Sequence, residues 1–226
     1  MGGVVGRGSG RTVVPAAPGS LCETMVVFAW NGTIVVDADR ARAALNVVLV
    51  RRGLPSLGEA EFALRFRLPL GELFERLGVQ ADDLAGAEEE WAVELAAVRA
   101  HLREGAAECL GTLRGAGAWL GVISPASTAA VRFDQRSLAV PAVWNSVDTA
   151  VSDTFGMLLR HRPVRDVAYF VGDSPDDLRS ASAAGYTPVG MADPTAAGAG
   201  WGRDALRAAG ATHVIRSLEE LLDIVA

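Results

Sequence analysis

A chain of 226 residues, half of them apolar and about a fifth charged, can form one sizeable core with a modest insertion. Its net charge of −6 offers no basic footprint for nucleic acid, and no apolar run approaches the length of a membrane span. Lysine is absent, so all 21 basic side chains are arginine; this excludes a Walker-type phosphate loop and lysine Schiff-base chemistry.

Met1–Thr24 is rich in Gly, Pro and small residues and carries Arg7 and Arg11, but it lacks the continuous apolar stretch of a signal peptide. It is expected to be a flexible tail, or an extended start ahead of Met25. Cys22 lies in this segment and Cys109 far beyond it, so neither a CxxC pair nor a disulfide framework is present. A reducing, cytoplasmic setting is expected.

Met25–Phe28 reads as a short buried strand closed by Asn31-Gly32. From Asp39 to Arg52 the pattern turns helical, with Ala41, Leu45, Val48 and Leu49 on one face, until Gly53, Pro55 and Gly58 break it. Glu59–Arg67, Gly71–Leu77 and Asp82–Arg103 follow as further helices, and no strand is predicted between them. Such a run suggests an inserted helical cap over 39–104, with 25–38 and 105–226 as the core.

After Gly105 strands and helices alternate. Strands are predicted at Trp119–Ile123, Ala142–Trp144, Val167–Val171, Pro188–Met191 and Thr212–Ile215. Helices are predicted at Thr128–Leu138, Thr154–His161, Pro175–Ala184, Gly202–Ala209 and Ser217–Val225. This rhythm predicts an α/β fold, a doubly wound parallel sheet of Rossmann type with helices on both faces. Ligands in such sheets sit beyond the carboxyl ends of the strands. Attention therefore falls on Ala29–Thr33, Ser124–Ser127 and Gly172–Asp177.

Gly172-Asp173-Ser174-Pro175-Asp176-Asp177 follows the apolar run VAYFV, placing Asp173 at a strand end and Asp177 in the next helix's first turn. Two carboxylates so placed can share a hard cation such as Mg²⁺. Capping explains the pattern equally well: Ser174 suits the N-cap, Pro175 the first helical position, and Asp177 completes a capping box. Ser124 ends an apolar strand with a hydroxyl, and Trp30-Asn31-Gly32-Thr33 follows the first strand with a tight turn.

In this order, and separated by a helical insertion, the loops resemble those of the haloacid-dehalogenase superfamily. The stretch from Trp30 through WNGTIVVDADRARAALNVVLVRRG is similar to its phosphoglycolate-phosphatase-like members, in which an Asp-Trp-Asn-Gly-Thr loop leads into a helical cap. The resemblance implies phosphate contacts at Ser124, Gly32 and Thr33, and metal ligation at Asp173 and Asp177. It also exposes departures. The nucleophile position is Ala29, whose methyl group can neither attack phosphorus nor ligate a metal. The acid/base position is Asn31, an amide that cannot exchange the proton, although Asn is familiar in this subgroup. The family's lysine before the acidic loop falls in Ser152-Asp153-Thr154-Phe155, and only Arg160 or Arg162 could substitute for it.

The expectation is a phosphatase-fold protein with impaired chemistry, Mg²⁺ binding weak or absent, and a cleft that keeps a small phosphorylated or anionic ligand or a protein partner. A hydrolase using an unconventional nucleophile or water stays open, with Asp37, Asp148, Asp153, Asp173 and Asp177 as candidate carboxylates; so does a repurposed biosynthetic enzyme. His101, His161 and His213 are expected at surfaces or caps, Trp91 and Trp119 in cores, and Trp30 either lining the cleft or packed beneath the cap. Arg65, Arg67 and the Glu88-Glu89-Glu90 run read as solvated helix faces.

Overall fold

The structure, a computed structural model, describes residues 20–66, 69–192 and 202–226. Arg7, Arg11 and Arg67, with most of the expected tail, lie outside them.

Strand β1 (Thr24–Ala29) is buried along its whole length, as expected of a β-branched run flanked by strands on both sides. Its residues alternate between two cores. Val26 and Phe28 enter one, while Met25, Val27 and Ala29 enter the other. The remaining sheet strands are β4 (Trp119–Ile123), β5 (Ser146–Asp148), β6 (Val167–Gly172), β7 (Thr187–Met191) and β8 (His213–Ile215). They form a six-stranded sheet in the order β5-β4-β1-β6-β7-β8 with every pairing parallel.

Helices α5 (Ala106–Gly115), α6 (Thr128–Ser137) and α10 (Glu219–Val225) cover the Val26/Phe28 face. Helices α7 (Thr154–His161), α8 (Pro175–Ala183) and α9 (Arg203–Ala208) cover the opposite face. The predicted doubly wound α/β architecture is therefore present.

Among the described residues between the short strands β2 (Val35–Val36) and β3 (His101–Leu102), the regular elements are all helical. They are α1 (Ala38–Arg51), α2 (Glu59–Arg65), α3 (Leu70–Leu77) and α4 (Leu84–Ala97), with one short 3₁₀ turn before α4. The face predicted on α1 is the buried one: Leu45 and Val48 are inaccessible, and Leu49 nearly so. They pack with Phe62, Leu73, Phe74 and Ala87 in a core separate from the two beneath the sheet. Fully burying a side chain of this size contributes about 1.5–3 kcal/mol. Trp91 joins this core, and its indole N–H donates to the Ala41 carbonyl at 3.4 Å.

Several expectations need correction. Thr24 is buried and paired within β1, and the Leu21 amide donates to the Ala116 carbonyl at 2.8 Å, so Leu21–Thr24 belong to the fold rather than to a tail. The predicted helix Asp82–Arg103 stops at Ala97, and His101–Leu102 pair antiparallel with Val35–Val36. The sequence pattern does not predict helix α5, whose buried positions Ala106, Cys109, Leu110 and Leu113 are followed or interrupted by Gly111 and Gly115, poor helix formers. The strand expected at Ala142–Trp144 lies instead at Ser146–Asp148. Asn145 explains the shift: its backbone and side chain both bond Leu120, so pairing begins only after it.

Candidate functional site

Strands β4, β1 and β6 lie side by side, and their carboxyl ends carry the residues singled out above. The chain after β4 climbs to one face of the sheet and the chain after β6 to the other, which opens a crevice above β1. Ala29, Asn31, Gly32, Thr33, Ser124 and Asp173 cluster at this edge, Ser124 and Thr33 fully buried, with Asp177 in the first turn of α8.

Trp30–Val35 forms a tight turn, with the Gly32 amide bonded to the Val35 carbonyl at 2.8 Å and the Val35 amide to the Trp30 carbonyl at 3.0 Å. Gly32 adopts φ +74°, and a β-carbon there would lie 2.1 Å from an Asp173 carboxylate oxygen. Both facts favour glycine. Gly32→Ala is expected to lose at least about 2 kcal/mol of stability, read from the urea midpoint; an unchanged midpoint would mean that Asp173 has room to retreat.

The polar groups of the loop satisfy one another. The buried Ser124 hydroxyl donates to Asn31 Oδ1 at 3.1 Å and accepts from the Ala126 amide at 3.0 Å. Asn31 Nδ2 donates to Asp37 Oδ2 at 2.6 Å, so both ends of the amide are engaged. The buried Thr33 hydroxyl donates to Asp173 Oδ1 at 3.3 Å. At the nucleophile position only the Ala29 methyl is present, 9% exposed at the end of β1.

Asp173 and Asp177 stand as the strand–turn–helix pattern predicts, but capping does not occupy them. Ser174 makes no side-chain cap bond, and Asp177 Oδ1 instead accepts from the Thr154 hydroxyl at 3.1 Å. Burial pushes the Asp173 carboxyl up to about 7, and the negative charges of Asp177 and Asp37 add to the rise. Burial likewise raises Asp177 and Asp37, the latter opposed by its bond from Asn31.

The cations near this charge are mostly engaged with other groups. Arg103 donates through Nε to the Thr33 carbonyl at 2.7 Å and through Nη2 to the Gly32 carbonyl, clamping the turn from behind. Arg40 is paired with Asp134 and also lies 3.7 Å from Asp37, whose charge it offsets in part. Arg160 is exposed in the last turn of α7, the end away from Asp177, and Arg162 bonds the carbonyls of Gly185, Arg165 and Asp166. Neither takes the place of the missing lysine.

Other expectations resolve individually. Asp148 accepts from Ser146 Oγ at 2.7 Å and pairs with His161 Nε2 at 2.8 Å, and Asp153 caps α7 through the Gly156 amide at 2.9 Å, so neither serves the crevice. His161 is therefore a partly buried partner of Asp148, its ring tilted against Trp119, rather than an isolated surface residue. Trp30 packs beneath the loop at 1% exposure, its indole N–H directed to Asp134 at 3.4 Å. Arg65 pairs with Glu61 on an exposed helix face. Glu88 and Glu89 are exposed, but Glu90 ties α4 to Arg51 and Arg52 of the first helical hairpin.

The resemblance implies Mg²⁺, and the donor set present does not fit it. Mg²⁺ asks for near-ideal octahedral oxygen coordination. One carboxylate is drawn toward Thr33 and the other toward Thr154, while the third position presents a methyl group. Among the described residues no group of three or more His, Cys, Asp or Glu side chains is placed to hold a metal ion.

This fold is shared with solved structures, among them haloacid dehalogenase-like hydrolases. A predicted phosphoglycolate phosphatase from Haemophilus somnus is similar over 89% of this chain and 97% of its own, with TM-score 0.76 and 16% identity. A haloacid dehalogenase-like hydrolase from Streptococcus pneumoniae matches over 93% and 100%, with TM-score 0.75 and 15% identity. A hydrolase from Pseudomonas syringae matches over 89% and 97%, with TM-score 0.72 and 18% identity. No family model matches the sequence, and no curated protein matches it. At these identities the likeness establishes the fold. No described helix is long and apolar enough to cross a membrane.

Proposed function

We propose that this chain is a catalytically silent member of the phosphatase fold, whose crevice serves binding rather than phosphoryl transfer. The observation that carries the proposal is the self-satisfied loop above β1. A methyl group stands at the nucleophile position, and the flanking Ser124 and Asn31 are bonded to each other and to Asp37. Loss of a covalent nucleophile alone costs many orders of magnitude in rate when the site's groups act as a unit. Here the acid/base group is an amide as well, and no lysine exists to offset phosphate charge.

In this reading 39–104 acts as the cap, and Ser124, Gly32 and Thr33 form the ligand floor. The occupant is a small molecule or a partner's side chain that exchanges into the hydrogen bonds now closed among Ser124, Asn31 and Thr33. A phosphate dianion meets the buried carboxylates of Asp173 and Asp177, so a phosphorylated ligand is the weaker of the expected occupants.

The test is Mg²⁺-dependent phosphate release from phosphoglycolate and from a generic aryl phosphate. Release at the background of a buffer control is expected. Turnover of about 1 s⁻¹ or more, the lower end of ordinary enzyme rates, would sink the proposal.

A further inference from the structure

The first turn of α1 carries an arginine that is only 7% exposed. Arg40 Nη1 and Nη2 bond the two carboxylate oxygens of Asp134 at 3.2 and 3.0 Å. Asp134 is 3% exposed and lies on α6, a helix of the sheet layer 94 residues further along the chain. A buried bidentate pair of this kind is geometrically exacting, because a planar fork matches a carboxylate in one orientation only.

The surroundings of this pair give it a purpose beyond packing. The same guanidinium reaches the Val98 carbonyl at 3.5 Å, at the residue that ends α4. It thus touches the chain where the helical insertion begins and where it ends. These are the two crossings through which the insertion could swing, carried by the β2–β3 ribbon. On its other side Arg40 lies 3.7 Å from Asp37, which holds Asn31 and through it Ser124. Asp134 also accepts from the Trp30 indole of the same loop.

We infer that Arg40 and Asp134 form a latch that holds the helical insertion in one position on the sheet layer and suppresses hinge motion across 35–37 and 98–102. Swinging the insertion separates a desolvated charge pair and strands both partners, which is strongly unfavourable unless water or another partner replaces them. Because Asp37 joins the latch to Asn31, whatever displaces the Asn31–Asp37 bond in the crevice also perturbs the latch. Occupancy of the crevice and freedom of the insertion are reciprocally linked.

The test uses Arg40→Met combined with Asp134→Asn, which removes both charges together and leaves an oxygen for the Trp30 indole. Amide hydrogen exchange is followed in peptides covering 33–37 and 98–103, with β1 and β6 as internal references. Exchange in the hinge peptides is expected to quicken by about tenfold or more while the reference strands hold their protection. Unchanged hinge exchange would overturn the latch, as would an equal increase everywhere, which marks loss of global stability only. The unmodified chain supplies a check that needs no variant. Its hinge amides are expected to approach the protection of β1, and hinge amides exchanging freely beside a protected β1 would overturn the latch directly.

Discussion

Ala29→Asp is expected to become less stable than the parent chain in the absence of divalent cations and to be rescued by millimolar Mg²⁺, whereas the parent chain shows no comparable response. The reason is donor count. The parent crevice offers Asp173 and Asp177, each held by a threonine hydroxyl, and a methyl between strand end and solvent. An added carboxylate at the end of β1 places a further negative charge beside groups whose ionisation burial already opposes. That costs on the order of 1–3 kcal/mol without metal. With metal, the three carboxylates form the oxygen set a hard cation prefers.

A ligand at about a hundred times its Kd stabilises by about 2.7 kcal/mol. For a chain of this size that corresponds to a rise in melting temperature of about 5–10 °C. The measurement is thermal unfolding of both proteins in EDTA and in Mg²⁺. Equal Mg²⁺ shifts in the two would defeat the donor-count argument. Phosphate release by the variant is expected to stay low, because Asn31 remains tied at both ends and no lysine is supplied.

Asp173→Asn is expected to stabilise the protein above neutral pH and to flatten its pH profile. Burial raises this carboxyl from 3.8 to about 7, so between those values the folded state binds more protons than the unfolded one. Stability therefore falls as pH rises through that window, the penalty is complete above it, and it vanishes below the unfolded value. Its size is on the order of 4 kcal/mol at most, given about 1.4 kcal/mol for each pKa unit. The amide keeps an oxygen for the Thr33 hydroxyl and carries no charge to desolvate. Unfolding midpoints at pH 4 and pH 8, taken as about the two ends of the window, check this. A variant no more stable than the parent at the higher pH would mean that the charge of Asp173 is compensated in the fold.

The architecture was legible in the sequence because its signals are local. An apolar run bounded by a turn reads as a buried strand whatever surrounds it, and Val167–Gly172 followed by a proline at the first helical position reads the same in chain and fold. The face of α1 was equally plain, since the spacing of Ala41, Leu45, Val48 and Leu49 leaves one way to bury them. The misreadings share a cause. Ser146–Asp148 has no apolar run of its own and is a strand only because β4 offers it an edge. His101–Leu102 pairs only because Val35–Val36 passes alongside. Pairing partners distant in sequence leave no periodicity to detect.

The same division runs through the crevice. The sequence by itself determined which chemical groups exist here: a methyl at position 29, an amide at 31, carboxylates at 173 and 177, and no lysine. No packing can restore a nucleophile or an ammonium that the chain lacks. Only the tertiary structure decided what the remaining groups do. It turned Asn31 toward Asp37 and Ser124, drew Asp177 to Thr154 rather than into a capping box, and buried Asp134 against an arginine on the helical insertion. The physical reason is that a buried polar group must find a partner, and the partner it finds depends on which strand ends and helix starts the fold brings within hydrogen-bonding distance.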